Sequence, residues 1–252
     1  MTILISLYGL LIGSFLNVCI YRIPREESIV FPSSHCPNCG TKLLWHDLVP
    51  VFSYLVLRGN CRYCGEKISP QYPIVELLNS LIYTLTYWKF GLSFSFLYYA
   101  VIFSILIVIA FIDLNEMIIP DILIILILTV TVLYRLLLFL LYSKSFDLLN
   151  SIGGLVLSSL LFILIIVLSK GGMGGGDVTL IGSLGFILGI KKILLTIFSA
   201  FIFGAIISII LLVTKIREKK DPIPFGPFII LGFFITVFWG DELINWYLSL
   251  FF

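Results

Sequence analysis

Two sets of side chains in this sequence have the type and spacing to do chemistry. The first is a pair of carboxylates: Asp113, in "FIDLNEMIIPD", and Asp177, directly after "GGMGGG". A carboxylate within or beside a membrane-spanning helix costs several kcal/mol unless it is paired, protonated or wetted, so such an acid marks a functional site by default. Two carboxylates brought close cannot both ionise cheaply. One keeps a proton, the other stays charged, and together they hold and activate a water. The charged member would act as general base while the protonated member polarises a scissile carbonyl, which is aspartic-protease chemistry. The shared proton belongs to the pair, so neither residue has a private role. Gly174, Gly175 and Gly176 read as an active-site loop. Irregular backbone at membrane depth is tolerated where it lines a cavity, and glycine lets a substrate backbone come close. The second set is thiols. "CPNCG" and "CRYCG" place Cys36, Cys39, Cys61 and Cys64 as two CxxC knuckles separated by 21 residues, close to the spacing of a tetrahedral zinc site. Four thiolates leave no open position for water, so that zinc would be structural.

Each reading has a plainer rival. Asp177 could cap the helix that follows it, with the glycines no more than a turn and a close helix contact, and intramembrane acids also serve ion paths. Asp121, behind Pro120, reads as a helix cap. Glu116 reads as a loop residue, and Asp241 and Glu242 as solvated residues at the boundary of the last helix. The cysteines could form two disulfides, but their loop faces a reducing compartment in the topology given below. Cys19 reads as a small buried apolar residue. His35 and His46 read as solvated or locally hydrogen-bonded, the cysteine set being complete without them.

The elements that must position these groups follow from composition. With 252 residues that are 60% hydrophobic and 12% charged, the chain is expected to be an all-α polytopic membrane protein. Apolar stretches at 3–21, 74–89, 94–113, 118–142, 151–169, 176–190, 192–214 and 224–240 give about eight transmembrane helices. The sixth and eighth are short enough that seven, or a partly re-entrant segment, stays open. Residues 3–21 are read as the first helix, not a cleaved signal peptide, since basic residues before the run are few and no small-residue cleavage site follows it. Three parts result: helix 1–21, a cytoplasmic loop domain at 22–73, and a transmembrane domain at 74–252 that carries both acids. The loop domain is too small to hold much of a core without a staple.

Charge sets the orientation. With the N-terminus outside, the loops 22–73, 113–118, 170–176 and 215–223 face the cytoplasm and hold 11 of the 16 basic residues. Lys89, Lys144, Lys191 and Lys192 lie outside, and Arg135 snorkels outward. Asp113, where the third helix arrives, and Asp177, where the sixth departs, then share the cytoplasmic depth. The net charge of +2 reflects topology and gives no signal for nucleic acid.

At this point the residues resemble the type IV prepilin peptidases, bifunctional membrane enzymes of pilus, competence and type II secretion systems. The resemblance rests on "GSFLNVCIYRIP" (13–24), on residues 36–76 with their four cysteines, on "IDLNEMIIPD" (112–121), on the GxGD motif Gly174-Gly175-Gly176-Asp177, and on "PFGP" (224–227). Five motifs in order over nearly the whole chain are specific where each alone is weak. The resemblance implies a protein of the bacterial cytoplasmic (inner) membrane that cuts the short basic leader of prepilin-like proteins after a glycine. It implies methylation of the new N-terminal residue, often phenylalanine, with S-adenosylmethionine. It maps the family's catalytic aspartates onto Asp113 and Asp177, while the second aspartate of the first motif, here Asp121, is less strictly kept. Substrates would be prepilins or pseudopilins with an apolar N-terminal helix, met in the lipid. One departure is Thr179, where many relatives have lysine. The resemblance associates the cysteine loop with this methyl transfer, but no methyl-transfer residue can be assigned. Asp47 and Glu76 qualify only as acids inside the matching stretch, and solvation and a helix-start role respectively explain them better. A protease of the signal-peptide-peptidase or presenilin type would lack the cysteine loop and carry a tyrosine before its first aspartate, where this chain has "FID"; archaeal preflagellin peptidases also lack the loop. A transporter or scaffold with a zinc-stapled loop is the alternative from another class, but a transporter's internal repeat is not seen.

Overall fold

The computed structural model describes residues 1–143, 147–169, 173–215 and 222–250. Lys144, Lys170, Gly171, Gly172, Arg217, Lys219 and Lys220, which the topology and the glycine run drew upon, lie outside the described residues. The chain divides into two compact units, Met1–Val108 and Ile109–Phe252.

In the first unit, α1 (Thr2–Arg22) runs antiparallel to α3 (Gln71–Phe90). Their contact is made by small and polar residues, because in lipid it is close backbone approach and interhelical hydrogen bonding that hold helices together. A Cβ at Gly9 would lie 2.6 Å from Ser80 Cα, and one at Gly13 would lie 2.6 Å from Glu76 Cα. Asn79 donates to the Gly9 carbonyl at 2.7 Å, Ser80 to the Ser6 carbonyl at 2.8 Å, and Asn17 to the Tyr72 carbonyl at 3.1 Å. Between these helices lies the cysteine loop, with short helical turns at Ile23–Arg25 and Trp45–Leu48 and the five-residue α2 (Phe52–Val56). Helix α4 (Phe94–Glu116) begins in this unit and ends in the next.

The second unit holds α5 (Asp121–Tyr142), α6 (Leu148–Leu168), α7 (Gly175–Val213) and α8 (Gly226–Ser249). Asp147 caps α6 by accepting from the Asn150 amide at 3.0 Å. Gly154 of α6 faces Gly185 of α7 so closely that a Cβ on either would strike the other's carbonyl oxygen. Ser158 bridges the same seam, donating to the carbonyls of Gly154 (2.8 Å) and Ile181 (3.2 Å). Helices α7 and α8 are joined by Thr196 donating to Thr236 at 2.9 Å.

Six helices among the described residues are long and apolar enough to cross a membrane: α1 with its extension to Arg25, and α4 to α8. The chain is a multi-pass membrane protein, and the expected count of about eight is met only roughly. Helix α3 falls outside the six because the polar residues that join it to α1 lower its hydropathy. The expected segments 176–190 and 192–214 are both present: α7 is two helices that meet at Gly189 (φ 74°, ψ 178°), whose backbone is not helical. Lys191 and Lys192 follow that break directly, at the start of the second of these helices. The break is held by polar groups: Asn150 accepts from the Ile190 amide at 3.0 Å, and Arg135 donates to the carbonyls of Phe186 (2.8 Å) and Ile187 (3.1 Å) and to Ser151 (3.0 Å). Arg135 thus turns into the helix packing and stacks on the Phe186 ring instead of snorkelling outward. Helix α8 continues past Asp241 and Glu242, and Asp241 pairs with Lys192 at 2.8 Å.

Candidate active site and metal centre

Asp113 lies in the last turn of α4 and is 5% exposed; Asp177 is the third residue of α7 and is 7% exposed. Each carboxylate meets the start of a helix, where unpaired amides and the helix dipole favour negative charge. Asp177 Oδ2 accepts from the Gly174 amide at 3.2 Å, so the rival capping role is realised in the geometry as well. Asp113 Oδ2 accepts from the Gly226 amide at 2.9 Å, at the first residue of α8. A Cβ on Gly226 would lie 2.6 Å from that same oxygen. Only glycine lets α8 deliver its amide there, and this gives "PFGP" a local physical reason.

Both aspartates line one cavity of about 470 Å³, together with Asp121, Gly174, Gly176 and Thr179 among others. Of the three glycines read as a loop, Gly174 is the residue before α7 while Gly175 and Gly176 are its first helical residues. Gly176 is sterically required, since a Cβ there would come 2.9 Å from Ile119 Cβ. Ile119 also reaches toward Gly226, 3.5 Å from a Cβ built there, and so sits between the two helix starts. Asp121 is corrected: Pro120 occupies the cap position, and Asp121 is the exposed first helical residue of α5, without a side-chain cap bond. Thr179 donates to the Gly176 carbonyl at 2.9 Å and puts no cation beside Asp177.

The four cysteines form the other site. Both knuckles have the same backbone pattern, offset by 25 residues. Cys36 N donates to Thr41 O and Gly40 N to Cys36 O, as Cys61 N donates to Glu66 O and Gly65 N to Cys61 O. Gly40 and Gly65 take the positive φ (68° and 73°) that closes each turn and that glycine adopts without strain. The bridges His35–Lys42 and Asn60–Lys67 flank them equivalently. The four Sγ atoms all lie within 4.8 Å of one another, and Cys36 and Cys64 are 3.9 Å apart. Ligands 2.3 Å from a tetrahedral zinc are about 3.8 Å apart, so the residues fit the metal. The backbone amides of Cys64 and Tyr63 hold the Cys61 thiol below its ordinary range, and the Thr41 hydroxyl and amide bring Cys39 down to about 6, whereas at Cys36, against the Cys39 and Asn38 amides, burial and the neighbouring Cys61 and Cys39 thiols push the thiol up to about 11. Thiolate is the ligating form.

Asp47 is not solvated. Its side chain is 3% exposed and accepts from Arg62 Nε at 2.7 Å, Tyr63 OH at 2.9 Å and the Leu44 amide at 3.1 Å. Arg62 and Tyr63 are the two residues inside the second knuckle, so Asp47 fastens the Trp45–Leu48 turn to it. Burial pulls the Asp47 carboxyl upward, but these donors outweigh it and hold it below the usual carboxylate range. Glu76 is buried in α3 and accepts from the Val51 amide at 2.7 Å. Neither acid carries a mark of methyl transfer. His46 stacks edge-on against Trp45, His35 lies against the Ser33 carbonyl, and Cys19 is a buried free thiol, all as read from the sequence.

The described residues thus form a multi-pass helical membrane protein with two buried aspartates lining one cavity and a four-thiol knuckle pair. The comparisons make the family specific. A model described as Bacterial Peptidase A24 N-terminal domain matches residues 7–90, and one described as Type IV leader peptidase family matches residues 100–209. A prepilin leader peptidase/N-methyltransferase of Bacillus subtilis (strain 168) is 32% identical across 98% of this chain and 98% of its own. The protein so named from Xanthomonas campestris pv. campestris is 34% identical across 95% of this chain and 92% of its own, and that of Pseudomonas aeruginosa 32% across 96% and 92%. No solved structure matches. The chain belongs to the type IV leader peptidase family.

Proposed function

We infer that this protein is a prepilin leader peptidase and N-methyltransferase. The observation that carries the reading is near full-length similarity to enzymes of that name, in a chain whose Asp113 and Asp177 line one cavity. Asp113 and Asp177 act as the aspartyl dyad: one as general base on water, the other as the acid that polarises the peptide carbonyl, with roles exchanged when the amine leaves. The amides of Gly226 and Gly174 orient the two carboxylates, Gly174 and Gly175 leave room for an extended substrate backbone, and Gly176 makes room for Ile119. The substrate is a prepilin-like protein with a short basic leader, cut after a glycine, and S-adenosylmethionine donates the methyl group to the new N-terminus. Cys36, Cys39, Cys61 and Cys64 hold a zinc that organises the loop and takes no part in hydrolysis.

The same reading places the protein in the bacterial cytoplasmic membrane, N-terminus outside, with the loop domain 22–73 and the cavity on the cytoplasmic side of the transmembrane domain 74–252. The basic residues support that orientation. The test is leader removal from a prepilin by Asp113→Asn and Asp177→Asn in membranes, read by mass spectrometry. Cleavage is expected to vanish in both. Cleavage persisting in either removes that residue from the dyad.

A further inference from the structure

The cysteine loop contains a stretch that does not behave as a soluble surface. Residues 48–57, "LVPVFSYLVL", hold no charge, and the stretch buries only Pro50 while half of its residues are exposed. Leu48, Phe52, Leu55 and Val56 are exposed, the last three at 62, 64 and 75%, and Trp45 in the turn before them is 80% exposed. A contiguous exposed apolar surface marks an interaction site or a membrane contact.

Its depth says which. The Val51 amide is held by Glu76 Oε2 at 2.7 Å. Glu76 is the sixth residue of α3, about 7.5 Å along its axis from Gln71 at the helical rise per residue. Helix side chains lean toward the N-terminus, so the Val51 turn sits alongside the first turns of α3. In α1 the matching level is Asn17 to Gly13, because Asn17 donates to the Tyr72 carbonyl and Gly13 abuts Glu76. That level is about one and a half to two and a half turns inside Arg22, on a helix apolar enough to span a membrane and beside exposed Leu11, Phe15, Ile74 and Leu77. The backbone is fixed there under constraint. Phe52 N donates to Pro50 O at 2.6 Å across Val51, whose φ of 62° and ψ of −48° form a γ-turn of the strained hand at a β-branched residue; such turns are rare. Burying a carboxylate to secure one amide is costly, which a freely solvated loop would not require.

We propose that residues 45–56 form a wedge seated in the acyl-chain boundary of the bilayer leaflet that receives the C-terminal end of α1, its apolar side chains covered by lipid. Trp45 lies at the headgroup level, where indoles concentrate, and Phe52, Leu55 and Val56 reach deeper. Asp47 and Arg62 tie the wedge to the knuckles, so the zinc module is moored to the membrane surface at a fixed height, like an interfacial helix. The proposal rests on the membrane topology of α1 and not on the peptidase reading.

The test is tryptophan quenching in proteoliposomes. One protein retains Trp45 alone, with Trp88, Trp239 and Trp246 changed to Phe; a second carries Val56→Trp in a background with all four native tryptophans changed to Phe. Emission is compared in unbrominated lipid, in lipid brominated midway along the acyl chain, and with acrylamide in the water. The Val56→Trp probe is expected to lose about half its emission to bromine and to resist acrylamide, as a side chain below the headgroups does; Trp45 is expected to be less bromine-sensitive. Quenching of the position-56 probe by acrylamide with none from bromolipid would overturn the proposal. So would protection from acrylamide that develops only when a prepilin is added, which would make the face a substrate surface. Should Val56→Trp fail to insert, Trp45 decides alone: shielding from acrylamide supports the wedge, and full accessibility of this highly exposed side chain refutes it.

Discussion

The cysteine module and the carboxylate cavity are built by opposite strategies. The module is local. Its four thiols come from two copies of one backbone pattern within about thirty residues, and each knuckle closes its own hydrogen bonds before any metal is considered. The cavity is assembled from the end of α4 and the starts of α5 and α7, with α8 supplying an amide, along more than a hundred residues of sequence. What holds the cavity is backbone proximity at glycine, helix-start amides and one wedged isoleucine. A local site therefore depends on its staple, while a distributed one depends on helix placement, and the two should fail differently.

The largest expected effect is on the module. Structural zinc in small domains supplies about 10–16 kcal/mol of apparent binding energy that is also folding energy. Chelation, or Cys36→Ser, is expected to turn residues 33–68 protease-sensitive while leaving membrane levels and the helices intact. Limited proteolysis with mass mapping reads this directly, and an unchanged digestion pattern would count against a structural metal. On the cavity side, Gly226→Ala places a methyl 2.6 Å from Asp113 Oδ2. Displacing a reacting group by about 1 Å costs about 100-fold, so leader cleavage should fall by that order at normal protein level, seen as kcat more than KM.

How much of this could be read in advance divides along the same line. The cysteine knuckles are legible because their spacing is their geometry, and the aspartates because an acid at a membrane edge is conspicuous. The helices follow from apolar run length. The supports are not legible. The two helices within residues 176–214 are legible from run length, but what makes the turn between them is not: a glycine at positive φ and Asn150, forty residues before Ile190, hold it. Arg135 looks like a snorkelling cation until its carbonyl partners are known. Gly226 could have been suspected from Gly-Pro at the opening of an apolar run, the pattern of a helix start, but its target Asp113 is 113 residues distant. Asp47 reads as an exposed loop acid because its donors lie inside the second knuckle. The uncharged run 48–57 is visible in the sequence, but inside a polar loop nothing in it distinguishes an exposed apolar face from a small core.

Smaller effects sharpen the contrast. Arg135→Met removes the bonds that its guanidinium donates to the half-buried carbonyls of Phe186 and Ile187, a loss of about 1 kcal/mol. It should lower the thermal midpoint in detergent without touching the cysteine loop. The smallest effect is a pH difference. Asp47 titrates lower in the folded loop than its ordinary value, so its ionised form stabilises the fold above the ordinary carboxylate pKa, and that contribution is lost as pH falls through the folded value. Asp47→Asn removes it. Hydrogen exchange in the loop should therefore be faster in the variant than in the parent at pH 7, with the difference shrinking in acid. A pH-independent difference would assign the effect to packing instead.

The most direct test of the division between the two regions measures both reactions in two variants at matched membrane levels: removal of a prepilin leader, and methylation of a pre-cleaved prepilin with S-adenosylmethionine. Asp177→Asn is predicted to lose cleavage and keep methylation, while Cys36→Ser keeps cleavage and loses methylation. Loss of both reactions in both variants would contradict two separately built sites and make the chain one cooperative unit.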